Sequence, residues 1–292
     1  MRLLLTGAGG QLGTDIRKEA TGIEILPLTH TELDITNGAA VLKACRDFHP
    51  DVIINTAAYI RVDDCETNTD QAYAVNALGA GNVAMAAREV GAKLVHISTD
   101  YVFGGGESSD GHPLTEFDTP VPVNVYGASK LAGEDDVRKL CRRYFIVRSS
   151  GLFGTAGNSG KGGNFVETML RLAGEREELR VVDDQIFSPT YTRDQAIKVL
   201  QLAETDKFGI YHITNSGACS WYGFTQEILK LAGLDVKVSP ITSEQYQLTA
   251  RRPAYSVLDN YQLHYVGMEA MRPWQEALAA YMKERSEENG KG

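Results

Sequence analysis

The chain has 292 residues, of which 43% are hydrophobic and 23% charged, so it is long enough to bury a core without disulfides or metal ions. This mixture of apolar and charged residues excludes a disordered chain and a fibre. The 38 acidic residues outnumber the 29 lysines and arginines, and the net charge of −9 repels phosphate backbones, which argues against nucleic acid as a partner. With 29 glycines and only 9 prolines, the composition is that of a globular enzyme.

Strands and helices are expected to alternate through the first half of the chain. The strands are short runs rich in Val, Ile and Leu, which is typical of strands covered on both faces in a parallel sheet. We predict strands at 2–6, 23–28, 51–56, 93–98 and 145–149, and helices at 11–20, 38–48, 70–90 and 126–143. This alternation predicts βαβ units and therefore an α/β fold of the Rossmann type, with a doubly wound parallel sheet.

The second half of the chain mixes its elements less regularly. A glycine-rich loop is expected at 154–164, and a polar tail that frays is expected from residue 286. We predict strands at 179–182 and 209–213, and helices at 165–172, 221–231 and 273–283. A further helix is expected to start at Thr192, where the spacing of a capping box begins, and Ser220 is the expected N-cap of the helix at 221–231. Residues 1–150 are expected to form the dinucleotide-binding domain. Residues 151–292 are expected to form most of a smaller substrate-binding lobe, from which late segments can cross back.

Cysteine and histidine spacing predicts no metal site. The four cysteines form no CxxC pair and the six histidines form no HExxH motif, so the need for a divalent ion stays open. The apolar stretch at the N-terminus is too short for a signal peptide, and no apolar window approaches the roughly 20 residues of a membrane span. We therefore expect a cytoplasmic protein without a membrane partner.

Glycines follow the first predicted strand at a G-x-x-G-x-x-G spacing. Gly7, Gly10 and Gly13 stand where the first helix begins. Glycine lets the backbone turn tightly and approach a pyrophosphate, and the helix N-terminus offers free N–H groups to the anion. The pattern predicts a dinucleotide site, and its alternative is a tight strand-to-helix turn without a ligand.

The end of the second predicted strand bears on the choice of coenzyme. NAD-selective sites usually carry an acid there to hold the ribose hydroxyls. This chain has Thr29 and His30 instead, so a 2′-phosphate is tolerated and NADPH is slightly favoured over NADH. Asp34 follows a few residues later, where it could reach the adenine side.

Tyr126 and Lys130 are four residues apart on a predicted helix, so both side chains project from one face. An ammonium group beside a phenol lowers the pKa of the phenol, which suits an acid that protonates a carbonyl oxygen as hydride arrives. Ser98, Thr99 and Asp100 follow the fourth strand at the carboxyl edge of the sheet, and a hydroxyl there can donate to the same oxygen. The alternatives are a solvated helix face and an ordinary turn after a strand.

Together these residues resemble the extended short-chain dehydrogenase/reductase superfamily, and within it the dTDP-4-dehydrorhamnose reductase family. The resemblance covers nearly the whole chain, and the run 98–103 combined with a late Arg-Pro is specific to this branch. The motifs that carry it lie at 10–13, 33–36, 55–59, 98–103, 125–127, 163–165, 184–185, 188–190, 219–221 and 252–253.

The resemblance implies NAD(P)H-dependent reduction of the C4 keto group of a nucleotide-linked 4-keto-6-deoxy sugar, with dTDP-4-dehydrorhamnose as substrate and dTDP-L-rhamnose as product. It implies catalytic roles for Tyr126, Lys130 and Thr99. The implied cofactor contacts are Gly7, Gly10, Gln11, Leu12, Asp34, Ile35, Ala57, Ala58, Tyr59 and Ser98, together with Tyr126 and Lys130. The expected substrate contacts are Thr99, Asp100, Asn164 and Arg252, the last through a diphosphate that a guanidinium fork can bind.

One departure from the family concerns the sugar. The family commonly has a tryptophan that packs on the sugar where this chain has Gly151, and Trp221 is either a substitute or a core residue. Tyr101, in place of a glutamate after Asp100, weighs against a dehydratase. A non-catalytic subunit resembling the methionine adenosyltransferase β-subunit and a nucleotide-sugar epimerase stay open as other functions. The oligomeric state is also open, with a homodimer as one option.

Overall fold

The structure is a computed structural model that describes residues 1–105, 111–156 and 163–289, so part of the predicted glycine-rich loop and the end of the predicted tail lie outside the described residues. The elements up to residue 149 are β1 (Arg2–Thr6), α1 (Gln11–Glu19), β2 (Glu24–Leu28), α2 (Gly38–Phe48), β3 (Val52–Asn55), α3 (Val62–Thr67), α4 (Thr69–Tyr73), α5 (Ala80–Val90), β4 (Lys93–Thr99), α6 (Val125–Leu140) and β5 (Tyr144–Ser149). The later elements are β6 (Leu152–Phe153), α7 (Phe165–Glu175), β7 (Glu178–Val182), β8 (Ile186–Phe187), β9 (Thr190–Tyr191), α8 (Thr192–Ala203), β10 (Gly209–His212), β11 (Cys219–Ser220), α9 (Trp221–Ala232), β12 (Lys237–Ile241), α10 (Ser243–Tyr246), α11 (Tyr261–Tyr265) and α12 (Trp274–Asn289).

A six-stranded parallel sheet in the order β2-β1-β3-β4-β5-β10 lies at the centre of the fold. Helices cover both of its faces: α1 and α8 pack together on one, and α2, α5 and α6 pack on the other. This double cover explains why the strands are apolar almost throughout, as in β1, where Leu3, Leu4 and Leu5 are fully buried. The predicted α/β fold with a doubly wound parallel sheet is confirmed.

The last strand of this sheet comes from the second half of the chain. In β10, Gly209 pairs with Phe145 and His212 with Arg148 of β5. The helix before it, α8, packs on α1. A separate hydrophobic cluster joins α7, α9 and α12 with β6 to β9 around residues such as Phe153. The chain therefore leaves the central sheet after β5 and returns to it at residues 192–213.

The order of the strands reverses between β1 and β3, because β2 lies on one side of β1 and the later strands on the other. Ligands bind outside the carboxyl ends of parallel strands at such a point. Buried polar side chains connect three of these strands just below it. Thr6 Oγ1 donates to Asn55 Oδ1 at 2.7 Å, and Asn55 Nδ2 lies 3.1 Å from Nδ1 of His96. Because these hydrogen bonds join β1, β3 and β4, they stabilise the register of the strands under the site.

The predicted helix at 70–90 is interrupted. It consists of α4, a π-helical segment at Ala74–Gly79, and α5. Asn76 in this segment accepts from the Tyr59 backbone N–H at 2.8 Å and donates to the Ser129 hydroxyl at 3.0 Å. Gly133 of α6 packs so closely that a Cβ there would lie 2.1 Å from the Asn76 carbonyl oxygen. The wider turn therefore forms where the helix contacts two distant segments, which local periodicity cannot show.

Helix starts were predicted with mixed success. Ser220 caps α9 as predicted, because its hydroxyl accepts from the Gly223 N–H at 3.0 Å. The predicted capping box at Thr192 is wrong, since Tyr191 precedes the helix and makes no side-chain cap. The Thr192 hydroxyl instead donates to Asp15 of α1 at 2.5 Å and so joins α8 to α1.

The final helix is longer than predicted. It was expected to end near residue 283 and continues to Asn289. Ion pairs hold the extra turns: Arg285 contacts Glu167 of α7 at 2.5 Å, and Glu288 contacts Lys18 of α1 at 2.8 Å. Residues 286–289 therefore belong to the helix, and the expectation that they fray stays a prediction.

Candidate active site

A cavity of about 280 Å³ opens at the carboxyl ends of the strands and extends from the phosphate turn to α6. It combines residues predicted for cofactor binding with residues predicted for catalysis. Those that line it are Gly10, Gln11, Leu12, Ala58, Ser98, Thr99, Asp100, Tyr126 and Lys130. The fold thus brings the two main sequence motifs into one cavity.

The phosphate turn is built by backbone that has no room for side chains. Gly7 has φ +71°, and a Cβ there would lie 2.6 Å from the Ala57 nitrogen. A Cβ at Gly13 would lie 2.6 Å from the Gly7 carbonyl oxygen. Gly10 precedes α1 without a side-chain cap, so the N–H groups of the first helical turn stay available to an anion. The glycine turn fits the pyrophosphate of a dinucleotide.

A carboxylate lies at the end of β2 although neither Thr29 nor His30 carries one. Glu32 Oε2 accepts from the Thr29 N–H at 2.8 Å and from its hydroxyl at 2.7 Å. These hydrogen bonds lower the pKa of Glu32, so it is charged at neutral pH. Thr29 borders the phosphate turn, since a Cβ at Gly9 would lie 3.5 Å from its methyl group. Glu32 therefore adds a carboxylate beside Thr29 that the prediction did not consider, and the preference for NADPH stays a prediction.

Several other predicted cofactor residues lie outside the lining of the main cavity. Asp34 Oδ1 accepts from the N–H and the hydroxyl of Thr36, both at 2.9 Å, and Ile35 is buried in the core. The backbone of Tyr59 is hydrogen-bonded by Asn76, and Ala57 packs against Gly7. Their contacts with a cofactor stay predictions.

The start of α6 fixes the place of Tyr126. Asn124 caps the helix by accepting from the Gly127 N–H at 2.8 Å. A Cβ at Gly127 would lie 2.0 Å from the Tyr101 carbonyl oxygen, so only glycine lets α6 pack against the 3₁₀ turn Asp100–Val102. The rings of Tyr101 and Tyr126 meet edge to face at 5.7 Å, and Tyr126 lines the same cavity as Thr99.

The predicted effect of Lys130 on the tyrosine differs from what the structure shows. Burial raises the pKa of Tyr126, the nearby Thr99 hydroxyl opposes this, and the charge of Asp100 adds to it. Lys130 Nζ donates to the Ile97 carbonyl oxygen at 2.7 Å, and burial lowers the pKa of this lysine to about 8 against the opposing charge of Glu134. The expectation that the lysine lowers the pKa of the phenol is therefore wrong for this structure. The phenol keeps its proton at neutral pH.

A buried ion pair lies one helical turn beyond Lys130. Glu134 accepts from Arg148 of β5 at 2.7 Å and from the Ser98 hydroxyl at 2.5 Å. The side chains of Glu134 and Arg148 are 1% and 2% exposed. The sequence analysis missed this pair, although an arginine inside an apolar strand signals a buried partner.

Asp100 is a buried acceptor for three hydroxyl groups. Its Oδ1 accepts from Thr99 at 3.0 Å, and its Oδ2 accepts from Ser150 at 2.8 Å and from Ser256 at 2.7 Å. Burial raises the pKa of Asp100 to about 6, although the three hydroxyls lower it. No sequence motif had pointed to Ser150 or Ser256.

The two remaining predicted substrate residues lie beside the main cavity. Asn164 caps α7, accepting from the Glu167 N–H at 3.0 Å and donating to the Gly154 carbonyl at 2.7 Å, so its amide is already used. Its predicted contact with substrate stays a prediction. Arg252 pairs with Asp63 at 2.7 Å and lines a second cavity of about 210 Å³.

An aromatic wall stands where the family's usual tryptophan is missing. Gly151 has φ +52°, and a Cβ there would lie 2.3 Å from the ring of Phe187, so residue 151 cannot carry a side chain while Phe187 is in place. Phe187 stacks on Trp221 with ring centroids 3.8 Å apart. Trp221 lines the main cavity and two cavities beside it. This position supports the interpretation that Trp221 takes the place of the missing tryptophan.

Within the three described ranges, no group of three or more His, Cys, Asp or Glu side chains is placed to hold a metal ion. No helix in the same part of the chain is long and apolar enough to cross a membrane.

The doubly wound sheet, its glycine turn, and the tyrosine and lysine on α6 define a Rossmann-type oxidoreductase of the short-chain dehydrogenase/reductase kind. The chain belongs to the RmlD substrate binding domain family, which it matches over residues 1–287. It is 42% identical over 287 residues to the spore coat polysaccharide biosynthesis protein SpsK of Bacillus subtilis, covering 98% of each chain.

Two further relatives carry a name for their activity. The chain is 40% identical to a dTDP-4-dehydrorhamnose reductase of Mycobacterium tuberculosis, over 95% of this chain and 91% of that protein. It is 44% identical to the crystal structure of a dTDP-4-dehydrorhamnose reductase from Bacillus anthracis in complex with NADP, with a TM-score of 0.91 over 97% of this chain and 99% of the other.

Proposed function

We propose that the protein reduces the C4 keto group of dTDP-4-dehydrorhamnose to give dTDP-L-rhamnose, with NADPH or NADH as the reductant. One observation carries the proposal: a single cavity is lined by the glycine turn together with Thr99, Tyr126 and Lys130. The relatives named dTDP-4-dehydrorhamnose reductase support the choice of sugar.

The cofactor, when bound, supplies the hydride. The glycine turn and the first N–H groups of α1 would hold its pyrophosphate, and Lys130, which lines the same cavity, would bind the ribose next to the nicotinamide. The Tyr126 phenol donates its proton to the C4 oxygen, and the Thr99 hydroxyl orients that phenol. Proton donation of this kind contributes about 10²- to 10⁴-fold to the rate.

The protonation state of the tyrosine suits the reductive direction. A group that must deliver a proton has to hold it when the substrate binds, and burial keeps the pKa of Tyr126 above its usual value. The neutral phenol is therefore ready to act at neutral pH without help from a neighbouring ammonium.

The second cavity is the proposed place of the nucleotide diphosphate. Arg180 and Arg252 line it, and both guanidinium groups can bind phosphate oxygens. Trp221 stands between this cavity and the main one, where it can pack on the sugar ring. Under this proposal, residues 1–150 with 192–213 bind the cofactor, and most of the remaining chain binds the sugar nucleotide.

The direct test is an assay with dTDP-4-dehydrorhamnose and each coenzyme, with product identification by NMR. We expect one reduced coenzyme to be oxidised for each dTDP-L-rhamnose formed. A stereoisomeric keto sugar or hexose formed without net oxidation of coenzyme would indicate an epimerase. No turnover on any 4-keto sugar, with co-purification of a synthetase, would indicate a binding subunit.

A further inference from the structure

The carboxyl group of Asp100 is held asymmetrically. Its Oδ2 accepts from the hydroxyls of Ser150 and Ser256, at 2.8 and 2.7 Å. Its Oδ1 meets the hydroxyl of Thr99 at 3.0 Å. The residue is 4% exposed. One oxygen is therefore saturated by donors, while the other faces a hydroxyl that can donate or accept.

The hydroxyl of Thr99 lies between this oxygen and the cavity. It donates to Asp100 Oδ1 at 3.0 Å, it lines the same cavity as the Tyr126 phenol, and it lowers the pKa of that phenol. It also accepts from the Tyr101 N–H at 3.2 Å, which holds the threonine in place. A hydroxyl rotates freely enough to change its donor direction, so it can pass a proton between its two neighbours.

We propose that Asp100 is the proton source that restores the Tyr126 phenol after each reduction, acting through the Thr99 hydroxyl. The inference rests on the proposed function, because it needs a tyrosine that loses its proton in every turnover. The expected contact between Asp100 and the sugar stays a prediction, to which this proposal adds a role behind the tyrosine.

The transfer balances in three steps. Hydride adds to C4 while the O–H bond of Tyr126 breaks and its proton forms the new hydroxyl at O4, leaving a phenolate. The phenolate takes the proton of the Thr99 hydroxyl, and the Thr99 oxygen takes the proton of the Asp100 carboxylic acid. The carboxylate that results recovers a proton from solvent when product leaves.

The surroundings of Asp100 allow it to gain and lose a proton close to neutral pH. Burial raises its pKa to about 6, and the hydroxyls of Ser256, Ser150 and Thr99 hold the shift to that level. The titratable groups that face it are the phenols of Tyr101 and Tyr126, both of which stay protonated because their pKa values are raised.

Cations lie near this group without pairing with it in the structure. Lys130 lines the same cavity, and its ammonium group is bonded to the Ile97 carbonyl. Arg252, whose charge reaches Tyr101, is paired with Asp63. Asp100 is hydrogen-bonded by hydroxyl groups and not by a cation. Because no ion pair fixes it in the charged form, its carboxyl group can release a proton and take one up again.

The substitution Asp100→Asn tests the relay, because an amide keeps the shape and the hydrogen bonds. The amide oxygen can accept from Ser150 and Ser256 and the NH₂ can donate to Thr99, but no acidic proton remains. Since proton transfer typically contributes 10²- to 10⁴-fold and solvent offers a slower route, we expect kcat to fall about 10-fold with NADPH affinity unchanged. The limb of the pH–kcat profile near pH 6 should also disappear.

Glu116→Gln is the matched control. Glu116 is another carboxyl whose pKa burial raises, but it accepts from the backbone N–H groups of His212 and Gln262 outside the lining of the cavity. This variant should keep the kcat and the pH profile of the parent. Ser256→Ala, which removes a donor from Asp100, should move the limb near pH 6 to higher pH.

A measurement that needs no substrate tests the role of Asp100 independently of the proposed function. The carboxyl carbon of Asp100, assigned by comparison with the Asp100→Asn spectrum, should titrate near pH 6 in NMR of the ligand-free protein. If the parent fails to reduce the sugar, the proposed function is wrong and the relay falls with it. If the parent turns over and Asp100→Asn matches it in kcat and pH profile, or if Asp100 titrates in the ordinary range of an aspartate, the relay alone is overturned.

Discussion

Lys130 Nζ donates to the carbonyl oxygen of Ile97 at a distance of 2.7 Å. Two residues further along β4, the hydroxyl of Thr99 lines the same cavity as the phenol of Tyr126 and lowers its pKa. One strand end therefore holds both members of the tyrosine and lysine pair of α6. The spacing along the helix sets which face the two side chains share, and the end of β4 sets where each of them is held.

Burying the Lys130 ammonium costs stability at neutral pH. Its pKa in the folded state is about 8, below its value of 10.5 in the unfolded chain, so the unfolded chain binds more protons between these values and stability rises with pH there. Lys130→Met removes this cost and should raise Tm at pH 7, with a gain that shrinks as pH rises from 8 to 10. Lys43→Met, at a side chain 75% exposed, is the control. A lower Tm for Lys130→Met at pH 7 would contradict the claim that burying the Lys130 ammonium costs stability.

The buried Glu134–Arg148 pair should matter far more to stability than a surface pair. Glu134→Gln leaves the buried Arg148 without its counter-charge, which typically costs about 3–5 kcal/mol. Asp47→Asn breaks the exposed pair with Lys43 and should cost about 0.5 kcal/mol or less. Urea unfolding of both variants measures the difference, and equal losses would refute the role of burial.

Glu32 should set the coenzyme preference. Its carboxylate accepts from Thr29 just after β2, where it would repel a 2′-phosphate and accept from the hydroxyls of a ribose bound beside Thr29. Glu32→Gln should lower KM for NADPH severalfold relative to KM for NADH. Glu24→Gln is the control, because Glu24 pairs with Arg2 at the far end of the same strand. An unchanged ratio in Glu32→Gln would place the ribose elsewhere.

Gly151→Ala should be more destabilising than its conformation alone explains. A left-handed alanine costs about 1–2 kcal/mol, and overpacking against Phe187 adds about 1–3 kcal/mol. Gly91→Ala isolates the first term, because Gly91 also has positive φ while a Cβ there meets no described atom within 4 Å. Thermal unfolding compares the two variants. Equal Tm losses would mean that the Phe187 and Trp221 wall can move aside.

Much of the fold could be predicted because local patterns decide it. The apolar runs of the parallel strands, the helix at Gly38–Phe48 and the cap at Ser220 all follow from residues close together in the chain. The glycine turn and the spacing of Tyr126 and Lys130 are local in the same sense, so they led to one cavity.

What could not be predicted depends on residues that are distant in sequence. Ser256 reaches Asp100 across 156 positions, and the interruption at Asn76 depends on contacts with Tyr59 and Ser129. The pKa of Tyr126 depends on burial, which a spacing of four residues cannot show. Glu32 was missed because its side chain turns back on Thr29, three residues away.

The central claim is that Tyr126 delivers the proton in the reduction of dTDP-4-dehydrorhamnose. The measurement is kcat for NADPH oxidation with this sugar, in the parent protein, in Tyr126→Phe and in Tyr144→Phe, which alters a tyrosine of β5 outside the cavity lining. We predict turnover in the parent and in Tyr144→Phe. Tyr126→Phe should lose about 10²- to 10⁴-fold in kcat while it still binds NADPH. Parent-level turnover in Tyr126→Phe would contradict the account.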